Sequence, residues 1–192
     1  MATKTTRDSH QSRSGRRVFS IGASLATVVV VAVLLVVGIT LLGNRPDAAA
    51  VTGSGPSALD FRVTTLDGQT FQMSAAQSKV VAIYFAAAWC PTCVPEARAW
   101  TKVYLQDHAR GLEVVMLDVD SSEGAPQWNG FRERTGNGPQ FWALDKGLQI
   151  TSAYGVTSLE TSIIVDRQGH IAFRHGQTVP AQQLQHEVEK LL

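Results

Sequence analysis

The 192-residue sequence predicts an α/β domain with a mixed central sheet flanked by helices, preceded by one transmembrane helix. Three observations carry this. Residues 18–44 contain no charged side chain. Two apolar, β-branched runs, 79–85 and 112–119, bracket a stretch with helical character. Two further strand patterns, 161–165 and 170–174, flank a turn and lead into an amphipathic C-terminus.

The uncharged stretch exceeds the roughly 20 apolar residues that cross a bilayer core. It also exceeds the roughly 7–15 apolar residues of a cleavable signal. Nothing polar interrupts it to give a buried core helix a solvent face. Lys4, Arg7, Arg13, Arg16 and Arg17 precede it against the single acid Asp8. The positive-inside rule therefore predicts a cytoplasmic basic N-terminus at 1–17, a membrane anchor at 18–44 and an extracytoplasmic remainder. The expected location is the cell membrane, single-pass, with the domain in the periplasm or on the outer surface. Ala48-Ala49-Ala50 also reads as a signal-peptidase site, so cleavage stays open as an alternative. No cysteine lies between the stretch and Cys90, which excludes a lipid-modified N-terminal cysteine. Residues 45–57, with Pro46, Gly53, Ser54, Gly55 and Pro56, read as a flexible linker.

Residues 58–192 form the expected domain. Strands at 61–64 and 70–73 flank Asp67-Gly68, a strong hairpin signal. The run 79–85 suits a buried central strand. A helix is expected from just after Cys90 to about His108, closed by Gly111, and 112–119 is the next buried strand. Pro126 suits the first turn of a helix over 126–134. The strands at 161–165 and 170–174 join around Asp166-Arg167-Gln168-Gly169 as a hairpin. A final helix over 180–192 places Leu184, Val188 and Leu191 on one face.

Formal net charge is +1, and the basic excess sits in the N-terminal flank. Bulk electrostatics therefore give no case for nucleic-acid binding. The only two cysteines are Cys90 and Cys93. A bridge closing so short a loop constrains the unfolded chain very little, so a structural disulfide framework is excluded. The pair follows a strand and opens a helix, where unpaired N–H groups and the positive end of the dipole favour thiolate. Cys90 is expected at or near the N-cap, as the attacking nucleophile, with Pro91 at the first helical position. Cys93, one turn in, is expected to resolve the mixed disulfide. Half of a zinc site is the competing reading of two such cysteines. A four-ligand site lacks a second pair, and His10, His108, His170, His175 and His186 show no matching spacing. No cofactor and no metal ligand are assigned.

Residues 58–192 resemble the TlpA/ResA-like branch of thioredoxin-fold proteins. The resemblance rests on Leu59-Asp60-Phe61 with Leu66-Asp67-Gly68, Lys79-Val80-Val81, and Trp89-Cys90-Pro91-Thr92-Cys93 with Glu96. It continues through Val114-Val115, Val119-Asp120, Tyr154-Gly155-Val156, Ile163 to Asp166, and Gly169. It implies a thioredoxin-like fold and a thiol–disulfide oxidoreductase that reduces disulfides of exported proteins, such as apocytochromes c. Implied partners are disulfide-containing protein substrates and a membrane-embedded thiol donor. Trp89 matches the aromatic beside the dithiol. With Pro91, Thr92, Leu159 and Glu160 it forms the expected docking surface. Glu96 matches an acid that tunes thiol pKa or relays a proton; its plain alternative is a first-turn carboxylate favouring the helix dipole.

The sequence also departs from that family. The stretch Val156-Thr157-Ser158-Leu159-Glu160-Thr161-Ser162 places Glu160 where the family carries a cis-proline. A cis bond before glutamate costs about 3 kcal/mol, so a trans loop is expected. A carboxylate beside Cys90 would disfavour its thiolate. The alternative function is copper handling in the manner of Sco proteins, through Cys90, Cys93 and Glu160. Against it, Cu(I) prefers sulfur or imidazole, the Sco spacing is longer, and the loop has no histidine.

Overall fold

The computed structural model describes residues 55–192. The expected basic segment at 1–17, membrane anchor at 18–44 and linker up to residue 54 lie outside the described residues. Among the described residues, no helix is long and apolar enough to cross a membrane.

The domain opens with a hairpin, β1 (Arg62–Thr64) and β2 (Thr70–Gln72). Its turn closes where Thr65 N–H donates to Gln69 O at 2.8 Å, with Gly68 at φ +76°, a conformation that costs glycine nothing. There follow β3 (Val80–Ala86), α1 (Cys93–Asp107), β4 (Leu112–Asp118), α2 (Ala125–Arg134) and β5 (Phe141–Leu144). The short α3 (Gln149–Ala153), β6 (Thr161–Val165), β7 (Ile171–His175) and α4 (Ala181–Glu189) complete the chain.

The five-stranded sheet has the order β5-β4-β3-β6-β7. β3, β4 and β5 run parallel, whereas β6 and β7 are antiparallel to their neighbours. The sheet is therefore mixed, as the sequence predicts. Every residue of β3 is buried because both faces of the sheet are covered. Val80, Ala82 and Tyr84 face a core containing Trp100 of α1, Trp128 of α2, Trp142 of β5, and Leu184 and Val188 of α4. Val81, Ile83 and Phe85 face the other core, with Val63, Phe71, Ile150 and Tyr154. The twofold side-chain alternation of a strand thus divides β3 between two cores.

The segment before and within the hairpin touches both edges of the sheet. Ala58 N–H donates to Gly169 O and Ile171 N–H to Pro56 O, and Ser57 pairs with His170 beside β7. Thr65 pairs with Ala143 of β5, and Leu66 N–H donates to Trp142 O.

Three sequence expectations are corrected. The sequence pattern assigns nothing between 135 and 160, where the structure has β5 and α3. The final strand starts at Ile171 rather than His170. The helix after the dithiol starts at Cys93, and Pro91-Thr92 form a turn ahead of it. Pro91 is therefore not the first helical residue. Val94 N–H reaches back only three residues, to Pro91 O at 3.4 Å, so regular α-helical bonding begins later.

Candidate active site

Strand β3 ends at Ala86, and a three-residue loop delivers the chain to Cys90. Cys90 and Cys93 form a disulfide across a Cα separation of 5.4 Å. The N-cap of α1 is Thr92 rather than Cys90, which sits in the loop two residues ahead of it, yet a backbone donor still reaches the sulfur. Cys93 N–H points at Cys90 Sγ, at 3.2 Å, and Thr92 Oγ1 lies 3.4 Å from the same sulfur. A backbone donor aimed at sulfur stabilises it as an anion once the bridge opens. Cys90 is 4% exposed and Cys93 fully buried, an ordering that leaves Cys90 the sulfur nearer to a partner. Tyr84 hydroxyl donates to Cys93 O at 3.2 Å, tying the helix start to β3.

Two carboxyl groups lie below and beside the disulfide, in different states of restraint. Glu96 is 1% exposed, one turn along α1 from Cys93. Its Oε1 accepts from Ser162 hydroxyl at 2.6 Å, and its Oε2 from Val179 N–H at 2.9 Å. Trp100 Nε1–H donates to the same Ser162 oxygen at 2.9 Å. Burial pushes Glu96 up to about 7, against the pull of its Ser162 and Val179 bonds, and the charge of Glu160 adds to the rise. The first-turn carboxylate is thus a buried acid near neutrality, which a mere helix-dipole partner at the surface would not be. The Tyr84 phenol is also driven upward, by burial first and then by Glu96 and Glu160.

Glu160 sits in the loop before β6 with a trans peptide and φ +61°. A non-glycine residue there is strained by roughly 1–2 kcal/mol, so its surroundings hold it in place. Its carboxylate and both sulfurs have ligand atoms within 4.8 Å of one another. Its Oε1 is buried and has no hydrogen-bond partner. Leu159 packs against the core that contains Cys90 and Cys93. The structure therefore brings Cys90, Cys93 and Glu160 together. Trp89, 64% exposed, and Pro91 and Thr92, also exposed, form the outward lip.

Several contacts that hold the site are not foreseen in the sequence. Trp89 Nε1–H donates to Asp120 Oδ2 at 2.7 Å, which fixes the indole over the loop after β4. Glu123 Oε2 accepts from Ala88 N–H at 2.7 Å, and Arg134 donates to Ala88 O at 2.6 Å. Both backbone groups of Ala88 are thereby clamped. Asp118, buried nearby, is pushed up by its burial and by the adjacent acids Glu123 and Asp120. Ser162 and Val179, which hold Glu96, lie 66 and 83 residues beyond it in the chain.

A mixed five-stranded sheet with a dithiol between its central strand and the next helix defines the thioredoxin-like thiol–disulfide oxidoreductases. The chain belongs to the Redoxin family, whose profile matches residues 53–192, and within it to the TlpA/ResA-like proteins. It is similar to the thiol–disulfide oxidoreductase ResA of Bacillus thuringiensis subsp. konkukian, with 29% identity over 138 residues, 72% of this chain and 76% of the relative. ResA of Bacillus cereus is 31% identical over 117 residues, covering 61% of this chain and 66% of that one. Among solved structures, a thiol:disulfide interchange protein from Chlorobium tepidum matches with a TM-score of 0.64 at 21% identity, over 71% of this chain and 96% of that one. A secreted Mycobacterium tuberculosis disulfide oxidoreductase matches with a TM-score of 0.61 at 20% identity, over 68% and 96%. These structural likenesses show the shared fold. The protein is a thioredoxin-like thiol–disulfide oxidoreductase that works by dithiol exchange.

Proposed function

We propose that the chain is a membrane-anchored, extracytoplasmic reductase of disulfides in exported proteins, apocytochromes c among them. The observation that carries the exchange chemistry is the Cys90–Cys93 bridge at the end of β3, with the buried Glu96 one turn beyond the resolving cysteine. In the reducing direction, the Cys90 thiolate attacks a substrate disulfide and one substrate thiolate leaves. Cys93, deprotonated with Glu96 as the acceptor, then attacks Cys90 Sγ and expels the second substrate thiolate. The substrate gains two electrons, and Cys90–Cys93 becomes the bridge seen here. A membrane-embedded dithiol donor returns it to the reduced form. The exposed Trp89, with Pro91, Thr92, Leu159 and Glu160, supplies the docking lip. The uncharged stretch 18–44 and its basic flank support the anchored, exported placement.

Copper delivery in the Sco manner finds little support. Among the described residues, the cluster of potential ligands at the dithiol holds no imidazole, the donor that soft copper would select beside sulfur.

Trapping tests the roles. Cys93→Ser is expected to accumulate mixed disulfides with exported proteins through Cys90, and Cys90→Ser to trap few. Absence of adducts from Cys93→Ser would overturn the assignment. Direction is read from the reduction potential: a value near about −270 mV suits a reductase, whereas one near about −120 mV marks an oxidant.

A further inference from the structure

We propose that the reduced dithiol and Glu160 form a zinc site, with Cys90 Sγ, Cys93 Sγ and Glu160 Oε1 as ligands and a fourth position open to water. The inference goes beyond disulfide exchange and uses the same sulfurs in a different state.

The geometry comes first. The three ligand atoms already lie within 4.8 Å of one another. Zinc binds thiolate at about 2.3 Å and carboxylate at about 2.0–2.2 Å in a tetrahedron, which sets its sulfurs roughly 3.8 Å apart. In the structure the two sulfurs are covalently bridged, so the metal requires prior reduction and a separation of the sulfurs. Once reduced, one thiol from the loop ahead of α1, one from the first residue of α1 and a carboxylate from the loop before β6 lie around one point.

Hydrogen bonding selects which carboxylate takes part. Both oxygens of Glu96 are engaged, by Ser162 and Val179. Glu160 Oε1 is buried without a partner, a state that costs about 1–3 kcal/mol unless something fills it. The backbone holding it there is in the left-handed region, at φ +61°. Around the sulfurs, the Cys93 N–H and Thr92 Oγ1 contacts to Cys90 Sγ stand as outer-shell bonds to a ligating thiolate.

Charge points the same way. Among the described residues, no salt bridge engages Glu96 or Glu160. Reduction thus adds two ionisable sulfurs to a place that already holds two carboxyl groups and no paired cation. A divalent ion offsets that accumulation. Donor chemistry narrows its identity. Two thiolates exclude magnesium and calcium, and the carboxylate disfavours Cu(I), leaving a borderline ion such as zinc. Binding releases one proton for each thiol still protonated and transfers no electrons. The bound metal occupies the Cys90 lone pair, so zinc holds the dithiol reduced but silent towards disulfides.

The test uses the full-length chain, reduced with a phosphine that offers no thiol, and cobalt(II) as a spectroscopic stand-in displaced by zinc. The reduced chain is expected to take up one equivalent, with sulfur-to-cobalt charge-transfer absorption and the intense visible bands of a tetrahedral ion. The oxidised chain is expected to take up none. Glu160→Gln should weaken cobalt binding about tenfold or more, and Glu96→Gln, which removes no ligand, by less than that. The comparison of oxidised and reduced wild type holds whether or not a variant folds. Absence of charge-transfer absorption from the reduced chain overturns the site. Equal affinity of wild type and Glu160→Gln overturns the assignment of the third ligand. Neither result bears on whether Cys93→Ser traps substrates, so the exchange reading stands or falls separately.

Discussion

At Glu96 the physics of one residue becomes a pH dependence of the whole fold. Its ordinary value is near 4.5 and its folded value about 7. Between those limits the native state holds a proton that the unfolded chain has lost. Stability from this group is therefore fully present below about pH 4.5 and is lost as pH rises through 7, by at most about 3 kcal/mol. Glu96→Gln is expected to reduce this decline, measured by urea unfolding of the oxidised chain at pH 4.5 and pH 7.5. Asp118, raised by the same cause, keeps its share, so the slope shrinks without vanishing. An unaltered slope would assign the proton to another group. The sequence made Cys90, Cys93, Trp89 and Glu96 legible because they lie within one short stretch. It was silent on Ser162 and Val179, since only the packing of β6 and the chain before α4 against α1 brings them to Glu96.

Among the elements, the loop between β3 and α1 shows how a site is held from outside its own motif. Ala88 has no functional group, yet its N–H and C=O are taken by Glu123 and by Arg134 of α2. Arg134→Ala leaves a carbonyl without its charged donor. We expect a loss of about 1–3 kcal/mol in urea unfolding, together with faster amide exchange at Ala88 and Trp89. Full retention of exchange protection would show that Glu123 alone fixes the loop. Long apolar runs were easy to read as β3 and β4. β5 was not, because four residues, Phe141 to Leu144, show no usable period, and its strand state depends on pairing with β4. The start of α1 was placed too early for a related reason: proline suits both a first helical turn and the turn that precedes it.

For the molecule as a whole, β3 is the plane through which the two cores communicate. Its odd-numbered side chains belong to one core and its even-numbered ones to the other. Ile83→Ala, at a position with no exposure, is expected to cost about 2–5 kcal/mol by denaturant titration. A loss under about 1 kcal/mol would mean that this core collapses readily around the gap. The mixed sheet was legible from alternating strand and helix patterns, but strand order was not, because β6 enters beside β3 from about 80 positions downstream.

The contacts of residues 56–66 with both β5 and β7 have a consequence for self-association. Open flanks of a sheet are templates on which other chains polymerise. One short strap, reaching from Pro56 at one flank to Leu66 at the other, takes up the first residue of β7 and the middle of β5, so neither flank presents its full run of free backbone groups to a second copy.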